Sequence, residues 1–397
     1  MSHPHARDPP DRSDGASTGH GNDGKPNGHG STGDGNSGKP NGHGSTGTSG
    51  GHPGARDYDR APLVVTWETS QACDLACDHC RAEADPERHP EELSTGEATE
   101  LFEEVARFEP NPFLVLSGGD PLQRPDLFEL LSAAVDVGVT PSVTPATTPR
   151  LTESVVERFA EVGVGRMALS VDGATAERHD AFRGEEGTFE IAMQAAERAR
   201  EVGLSIQLNT TVTAETVADL PAIADLAEEL GAAMWEVFFL VPVGRGDELA
   251  QLSPERAREV MEWLYRRGRE APYRLITVEA PFYRRVAHGV QLAEGESPRG
   301  VGSTGAGNGF VFVSHTGEIY PSGFLPLSAG NVREESLVER YRESEIFRRL
   351  RDRSSFEGPC GECSFLESCG GSRSRAFAAT GNPVGSDPLC PWVANAD

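Results

Sequence analysis

From Ala61 onward the chain repeats one pattern six times: a short apolar, β-branched run, then a longer stretch with helical periodicity. The short runs read as strands at 63–69, 113–116, about 139–144, 167–171, 205–210 and 235–240. Helices are expected near 94–107, 126–137, 152–161, 188–202, 216–230 and 254–267. Strands joined through helices in this way lie parallel, with right-handed crossovers. Six units are too few to close an eight-fold ring. The expectation is an α/β fold, an open partial barrel of the (β/α)6 kind. Residues that act on a ligand then belong on loops at the C-terminal ends of the strands.

The first such loop holds Cys73, Cys77 and Cys80, spaced C-x3-C-x2-C, three of only seven cysteines. Three thiolates on a short loop can hold three irons of a 4Fe–4S cluster. Clusters are normally held by four cysteines, so one iron is left without a protein ligand. An open position on a redox-active metal is a place for a substrate or cofactor. A zinc site, or three unrelated buried thiols, is the plainer account.

This loop after strand one resembles the signature of the radical SAM enzymes, and the resemblance extends over about 61–397. It implies that S-adenosylmethionine (SAM) chelates the fourth iron, and that one electron then releases a 5′-deoxyadenosyl radical. That chemistry belongs to the cofactor; the protein binds, aims and shields it. Further motifs fall in family order. Ser117-Gly118-Gly119-Asp120-Pro121 follows strand two, where the family has Gly-Gly-Glu-Pro, a motif that binds the SAM amino group. Glycines let backbone approach a ligand, and a carboxylate can meet an ammonium. Asp120 reaches one methylene less far than the usual Glu. Ser170-Val171-Asp172-Gly173 resembles the family's Ser-x-Asp-Gly contact to the SAM ribose and carboxylate. Asn209 ends strand five as a further polar contact, and Val241 follows strand six, where it would lie against adenine. Turns, helix caps and core packing are the ordinary accounts of these residues. No catalytic acid or base stands out.

The C-terminal part opens with a glycine-rich stretch, 300–309, and a hairpin of Phe310–Val313 and Glu318–Tyr320 turning at His315-Thr316-Gly317. The other four cysteines follow: Cys360, Cys363, Cys369 and Cys390, spaced C-x2-C-x5-C-x20-C. Four thiolates complete a second, auxiliary iron–sulfur cluster; structural zinc is the alternative. The region resembles the SPASM and twitch domains that append auxiliary clusters to radical SAM enzymes. Ser322 and Ser372 stand where the full SPASM pattern often has Cys, which argues against a further cluster. The spacing, closed by Asp387-Pro388-Leu389-Cys390, resembles radical SAM enzymes of haem biosynthesis. Those remodel side chains of iron porphyrins. The expected division is a barrel at 61–299 and an auxiliary-cluster domain at 300–397. Between them, Glu279-Ala280-Pro281-Phe282-Tyr283-Arg284-Arg285 offers an acid, two aromatics and two arginines to a substrate pocket. A solvated connector is the plainer account.

Composition narrows the partners. The net charge of −26 argues against nucleic acid and anionic membranes, which need a basic face. No run of eighteen apolar residues offers a membrane span, and no apolar stretch follows the N-terminus as in a signal peptide. A cytoplasmic location is expected, where cysteines serve metal or redox chemistry. Residues 1–60 are rich in Gly, Ser, Asn, Asp and His and repeat a decapeptide at 24–33 and 38–47. They lack the apolar surface to offset ordering entropy and are expected to be disordered. Three functions remain. The leading one modifies a tetrapyrrole side chain in haem biosynthesis, with an electron donor such as ferredoxin. The second is peptide or protein maturation, as in SPASM relatives. The third is non-enzymatic: an iron–sulfur electron carrier or redox sensor.

Overall fold

In the computed structural model, residues 56–297 and 304–395 are described. The expected alternation is present: β1 (Val64–Glu68), α1 (Thr95–Ala106), β2 (Phe113–Ser117), α2 (Leu127–Asp136), β3 (Pro141–Val143), α3 (Glu153–Val162) and β4 (Arg166–Ser170). It continues through α4 (Ala176–Arg183), α5 (Thr188–Glu201), β5 (Ile206–Val212), α6 (Leu220–Glu229), β6 (Met234–Phe239) and α7 (Pro254–Glu270). Local chemistry sets several boundaries. Ser94 and Glu97 form a reciprocal capping box on α1, and Thr152 and Ser253 cap α3 and α7. In α5 the sheet-facing side is Ala192, Ala195, Ala196 and Ala199, so the helix packs close to the strands.

Beyond α7 the strand–helix pattern continues. It forms β7 (Arg274–Val278) and α8 (Tyr283–Ala293), then β8 (Gly305–Ala306), β9 (Gly309–Val313) and β10 (Ile319–Tyr320). Phe282, Ala280 and Val286 are buried, so the stretch from Glu279 to Arg285 is part of the core and not a solvated connector. The strand was hard to see because β7 is an edge strand whose residues are exposed or half-buried, without a clear alternation.

The sheet order is β10-β9-β1-β2-β3-β4-β5-β6-β7, with β8 beside β9. Every pairing along this path is parallel except that of β9 with β10. The path ends at β7 and β10, so the sheet is an open partial barrel. The expected hairpin forms, but β9 also pairs with β1, Val64 opposite Phe310, so chain beyond residue 300 joins the barrel sheet. Five short helices follow: α9 (Leu337–Glu343), α10 (Glu345–Arg351), α11 (Gly358–Gly361), α12 (Arg373–Thr380) and α13 (Pro391–Ala394). One apolar core runs from Val65 through Leu101, Phe159 and Trp235 to Tyr341 and Leu389.

Most of the expected disordered segment, and the start of the glycine-rich stretch, lie outside the described residues. Its last residues are packed: Arg56 donates to Asn111 O at 2.8 Å and Tyr341 Oη to Tyr58 O at 2.6 Å. Among the described residues no helix is long and apolar enough to cross a membrane.

Candidate active site

The cysteine loop leaves β1 at the C-terminal edge of the sheet and is gripped from three sides. From β2, Gly119 N donates to Ser70 O at 2.8 Å and Asp120 N to Ala72 O at 2.7 Å. A Cβ on Gly118, whose φ is +146°, would lie 2.3 Å from Ser70 O, and one on Gly119 2.4 Å from Gln71 O. The two glycines are thus required by backbone approaching backbone, where a ligand had been expected. From α4, Phe182 O accepts Asp78 N at 3.1 Å and the Phe182 ring stacks on His79 at 4.7 Å. From β6, Arg245 donates to Cys80 O at 3.1 Å through its main chain and to Cys77 O at 2.8 Å through Nε. A Cβ on Gly244, with φ of +57°, would meet Cys80 O and Arg81 O at 2.6 Å.

Cys73 and Cys77 are buried and Cys80 half-buried, in one cluster with Leu75, Ala84 and Ala146. N–H groups point at the sulfurs: Leu75 N to Cys73 Sγ at 3.4 Å, Ala84 N to Cys80 Sγ at 3.5 Å, Arg183 Nη1 to Cys77 Sγ at 3.7 Å. Burial pushes the Cys73 thiol up to about 12, so a cation is needed to hold it as thiolate. Among the described residues no three His, Cys, Asp or Glu side chains are placed to hold a single metal ion. Thiol donors on one loop, with N–H groups on sulfur, suit the larger cluster.

The expected SAM contacts fall in three environments. Asp120 is fully buried; its oxygens accept Leu122 N at 3.0 Å, Ala146 N at 3.2 Å and Thr148 Oγ1 at 3.2 Å. Burial outweighs these bonds and pushes its carboxyl up to about 6. Asp172 is 1% exposed, accepts Thr211 N at 2.6 Å and pairs with Arg183 at 2.5 Å. Burial opposes its ionisation, but the Arg183 guanidinium wins and holds its carboxyl below the usual range. Its reach to Cys77 therefore runs through Arg183. Val241 is buried. Ser170 and Asn209 are half-buried partners in the β4–β5 register.

On the next strand, in register with Asn209, stands Glu236. Burial pushes its carboxyl up to about 7, against the pull of Arg166, Arg274 and Gln207. The sequence reading passed over it, although one carboxylate inside Trp-Glu-Val-Phe-Phe was a signal of a polar inner face. Arg183 and Arg245 were missed because nothing local marks them.

In the C-terminal segment Cys360 and Cys390 are buried, Cys363 and Cys369 half-buried. Phe365 N points at Cys363 Sγ and Gly371 N at Cys369 Sγ, each at 3.4 Å, and Arg285 Nη1 lies 3.5 Å from Cys363 Sγ. A Cβ on Gly371 would lie 3.2 Å from Cys360 Sγ and 2.8 Å from Asp387 Cβ, so residues far apart in sequence converge there. Burial pushes Cys369 up to about 11 and Cys390 up to about 12. The donor set again fits a thiolate-bound cluster. Ser322 and Ser372 do meet, but around a carboxylate: Glu279 accepts Ser372 Oγ at 2.5 Å, Ser374 Oγ at 2.9 Å and Ser322 Oγ at 3.5 Å. Glu279 directly follows β7, with φ of +54°, a strained conformation for a non-glycine residue.

A family model described as Radical SAM superfamily matches residues 67–227. The chain is 39% identical to an AdoMet-dependent heme synthase of Methanosarcina barkeri, over 83% of this chain and 96% of that protein. It is 33% identical to the mycofactocin maturase MftC of Mycobacterium tuberculosis, over 83% of each chain. Streptococcus suis SuiB bound to S-adenosylmethionine superposes with a TM-score of 0.67 at 17% identity, over 84% of this chain and 78% of that one.

Proposed function

The chain belongs to the radical SAM superfamily, and from that premise we propose that it is an enzyme of haem biosynthesis that remodels a carboxylate side chain of an iron tetrapyrrole. The observation that carries the substrate class is the likeness to the heme synthase, at 39% identity over 96% of that protein. The auxiliary C-x2-C-x5-C-x20-C set and its closing Asp387-Pro388-Leu389-Cys390 point the same way.

In this reading Cys73, Cys77 and Cys80 hold a 4Fe–4S cluster, and Cys360, Cys363, Cys369 and Cys390 hold a second. When bound, the first cluster and SAM supply a 5′-deoxyadenosyl radical that takes a hydrogen atom from substrate. The chain's own residues do the rest. The β2 turn at Gly118, Gly119 and Asp120, packed beside the cysteine loop, would meet the SAM ammonium; the Asp120 carboxylate itself is buried and held by Leu122 N, Ala146 N and Thr148 Oγ1, and so braces that turn. Ser170 and Asn209 offer hydrogen bonds from the strand ends. Arg183, held by Asp172, and Arg245 fix the loop that presents the thiols. The buried walls around Cys73 and Cys77 keep water from a reactive radical.

Peptide maturation is the second reading, favoured by the 33% identity to the mycofactocin maturase. Anaerobic reconstitution separates the two. Iron coproporphyrin III with SAM and a reductant should yield 5′-deoxyadenosine and a shifted Soret band. Turnover with candidate precursor peptides and none with any porphyrin would overturn the tetrapyrrole assignment. Cys73→Ala, Cys77→Ala and Cys80→Ala together should abolish 5′-deoxyadenosine formation.

A further inference from the structure

Four arginines surround the C-terminal cysteines. Arg285, in the first turn of α8, lies 3.5 Å from Cys363 Sγ and is clamped by aromatic faces, 3.9 Å from the Trp392 ring centre and 5.2 Å from that of Phe365. Arg284 donates to Ser368 O, the residue before Cys369. Arg373 is 3% exposed and bonded to the carbonyls of Gly371, Pro383 and Gly385. A Cβ on Gly371 would lie 2.7 Å from Arg373 Nη2 and 3.2 Å from Cys360 Sγ, so guanidinium and thiol flank the same glycine. Arg373 Nη2 is itself buried without a hydrogen-bond partner. Arg353 packs on Phe356 at 5.0 Å and reaches Gly370, the residue after Cys369.

Among the described residues no salt bridge joins any of the four to a carboxylate, although Glu367 lies near Arg353 and Asp387 near Arg373. Asp387 is itself paired with Arg375. In a chain with 62 acidic and 36 basic side chains, such a gathering of unpaired cations is out of keeping with the whole. Buried cations need an anion. A tetrathiolate cluster is an anion in both redox states and gains one more negative charge on reduction. Fixed cations and donors on sulfur therefore stabilise the reduced form more than the oxidised form.

We propose that this arginine surround raises the reduction potential of the auxiliary cluster, with Arg285 as the positioning residue that acts directly on a ligand sulfur. The inference rests on the auxiliary-cluster part of the function proposed above. The cluster then serves as an electron acceptor. One electron enters it from a carbon-centred substrate radical next to a CH2–carboxylate group; the C–CO2 bond breaks, the carboxylate leaves as CO2, and a C=C bond forms in the closed-shell product. The guanidinium is already protonated and supplies no proton.

The test is an EPR-monitored redox titration of the full chain carrying Cys73→Ala, Cys77→Ala and Cys80→Ala, so that only the auxiliary signal remains. Arg285→Gln should make reduction harder by about tenfold in the one-electron equilibrium, about 59 mV. Arg285→Lys, which keeps the charge, should recover most of that. If Arg285→Gln loses the cluster, Trp392→Leu, which frees the guanidinium from its clamp, should lower the potential in the same direction. An unchanged midpoint in a variant that keeps its cluster overturns the inference alone. Stoichiometric zinc and no reducible signal in the parent overturns it together with the auxiliary-cluster reading.

Discussion

Arg375 Nη1 lies 3.2 Å from Asp387 Oδ1, and neither side chain is exposed. The same guanidinium donates to the carbonyls of Phe239, Leu240 and Glu279, at the ends of β6 and β7. Asp387 accepts Ser372 N at 2.8 Å and Leu389 N at 3.1 Å. One ion pair thus ties the barrel mouth to the turn that presents Cys390.

Removing one member strands the other as a buried charge. Arg375→Leu should cost about 3–5 kcal/mol in chemical denaturation. The double variant Arg375→Leu with Asp387→Leu should recover part of this, because no charge is stranded. A single variant within about 1 kcal/mol of the parent would mean that water already reaches the pair.

Glu236 predicts a pH dependence. Its folded-state carboxyl is raised from the ordinary 4.5 to about 7, chiefly by burial. Between those values the folded chain keeps a proton that the unfolded chain has lost. The contribution of neutral Glu236 is complete below 4.5 and is lost as pH rises through about 7. Glu236→Gln should therefore flatten the fall in apoprotein Tm across this window. Parallel curves for parent and variant would show that Glu236 titrates normally.

Gly118 and Gly96 make a matched pair of substitutions. A Cβ on Gly118 would stand 2.3 Å from Ser70 O, at a φ of +146°, whereas nothing lies within 4 Å of one on Gly96 in α1. Gly118→Ala should displace the cysteine loop and lower bound iron by about half if both sites hold 4Fe–4S clusters, with the auxiliary signal retained. Gly96→Ala should be neutral or stabilising by about 0.5–1 kcal/mol. Full iron in Gly118→Ala would show that the β2 turn is not what holds the loop.

What the sequence made legible was local. The period of the six strand–helix units and the spacing of the seven cysteines are properties of neighbouring residues, and the alternation and the open sheet follow from them. Contacts between distant segments left no such trace. Val64 opposite Phe310, Arg183 on Cys77 and Arg285 on Cys363 join positions with no shared pattern. Gly118 and Gly119 were visible as glycines, but their reason, the carbonyls of Ser70 and Gln71, exists only once β2 lies beside β1. The helix α4 was missed because it is polar almost throughout, with only His179 and Phe182 buried.

Glu68 carries the last prediction. It ends β1, and its two oxygens are divided between Arg81 Nη2 at 2.8 Å and His315 Nδ1 at 2.7 Å. Arg81 directly follows Cys80 and lies 4.6 Å over the Phe312 ring, so the carboxylate fastens the cysteine loop to the β9–β10 turn. Burial by itself would raise the carboxyl; Arg81 and His315 outweigh it and hold it at about 2. The folded-state value is depressed, so the stabilisation is present above the ordinary 4.5 and is lost as pH falls toward about 2. Glu68→Gln should cost the apoprotein about 3 kcal/mol at pH 7, and the difference from the parent should shrink steadily below 4.5. Urea midpoints at several pH values measure this directly. A gap that stays constant down to the acid limit would mean that Glu68 acts through packing, and that its charge does not fasten the loop.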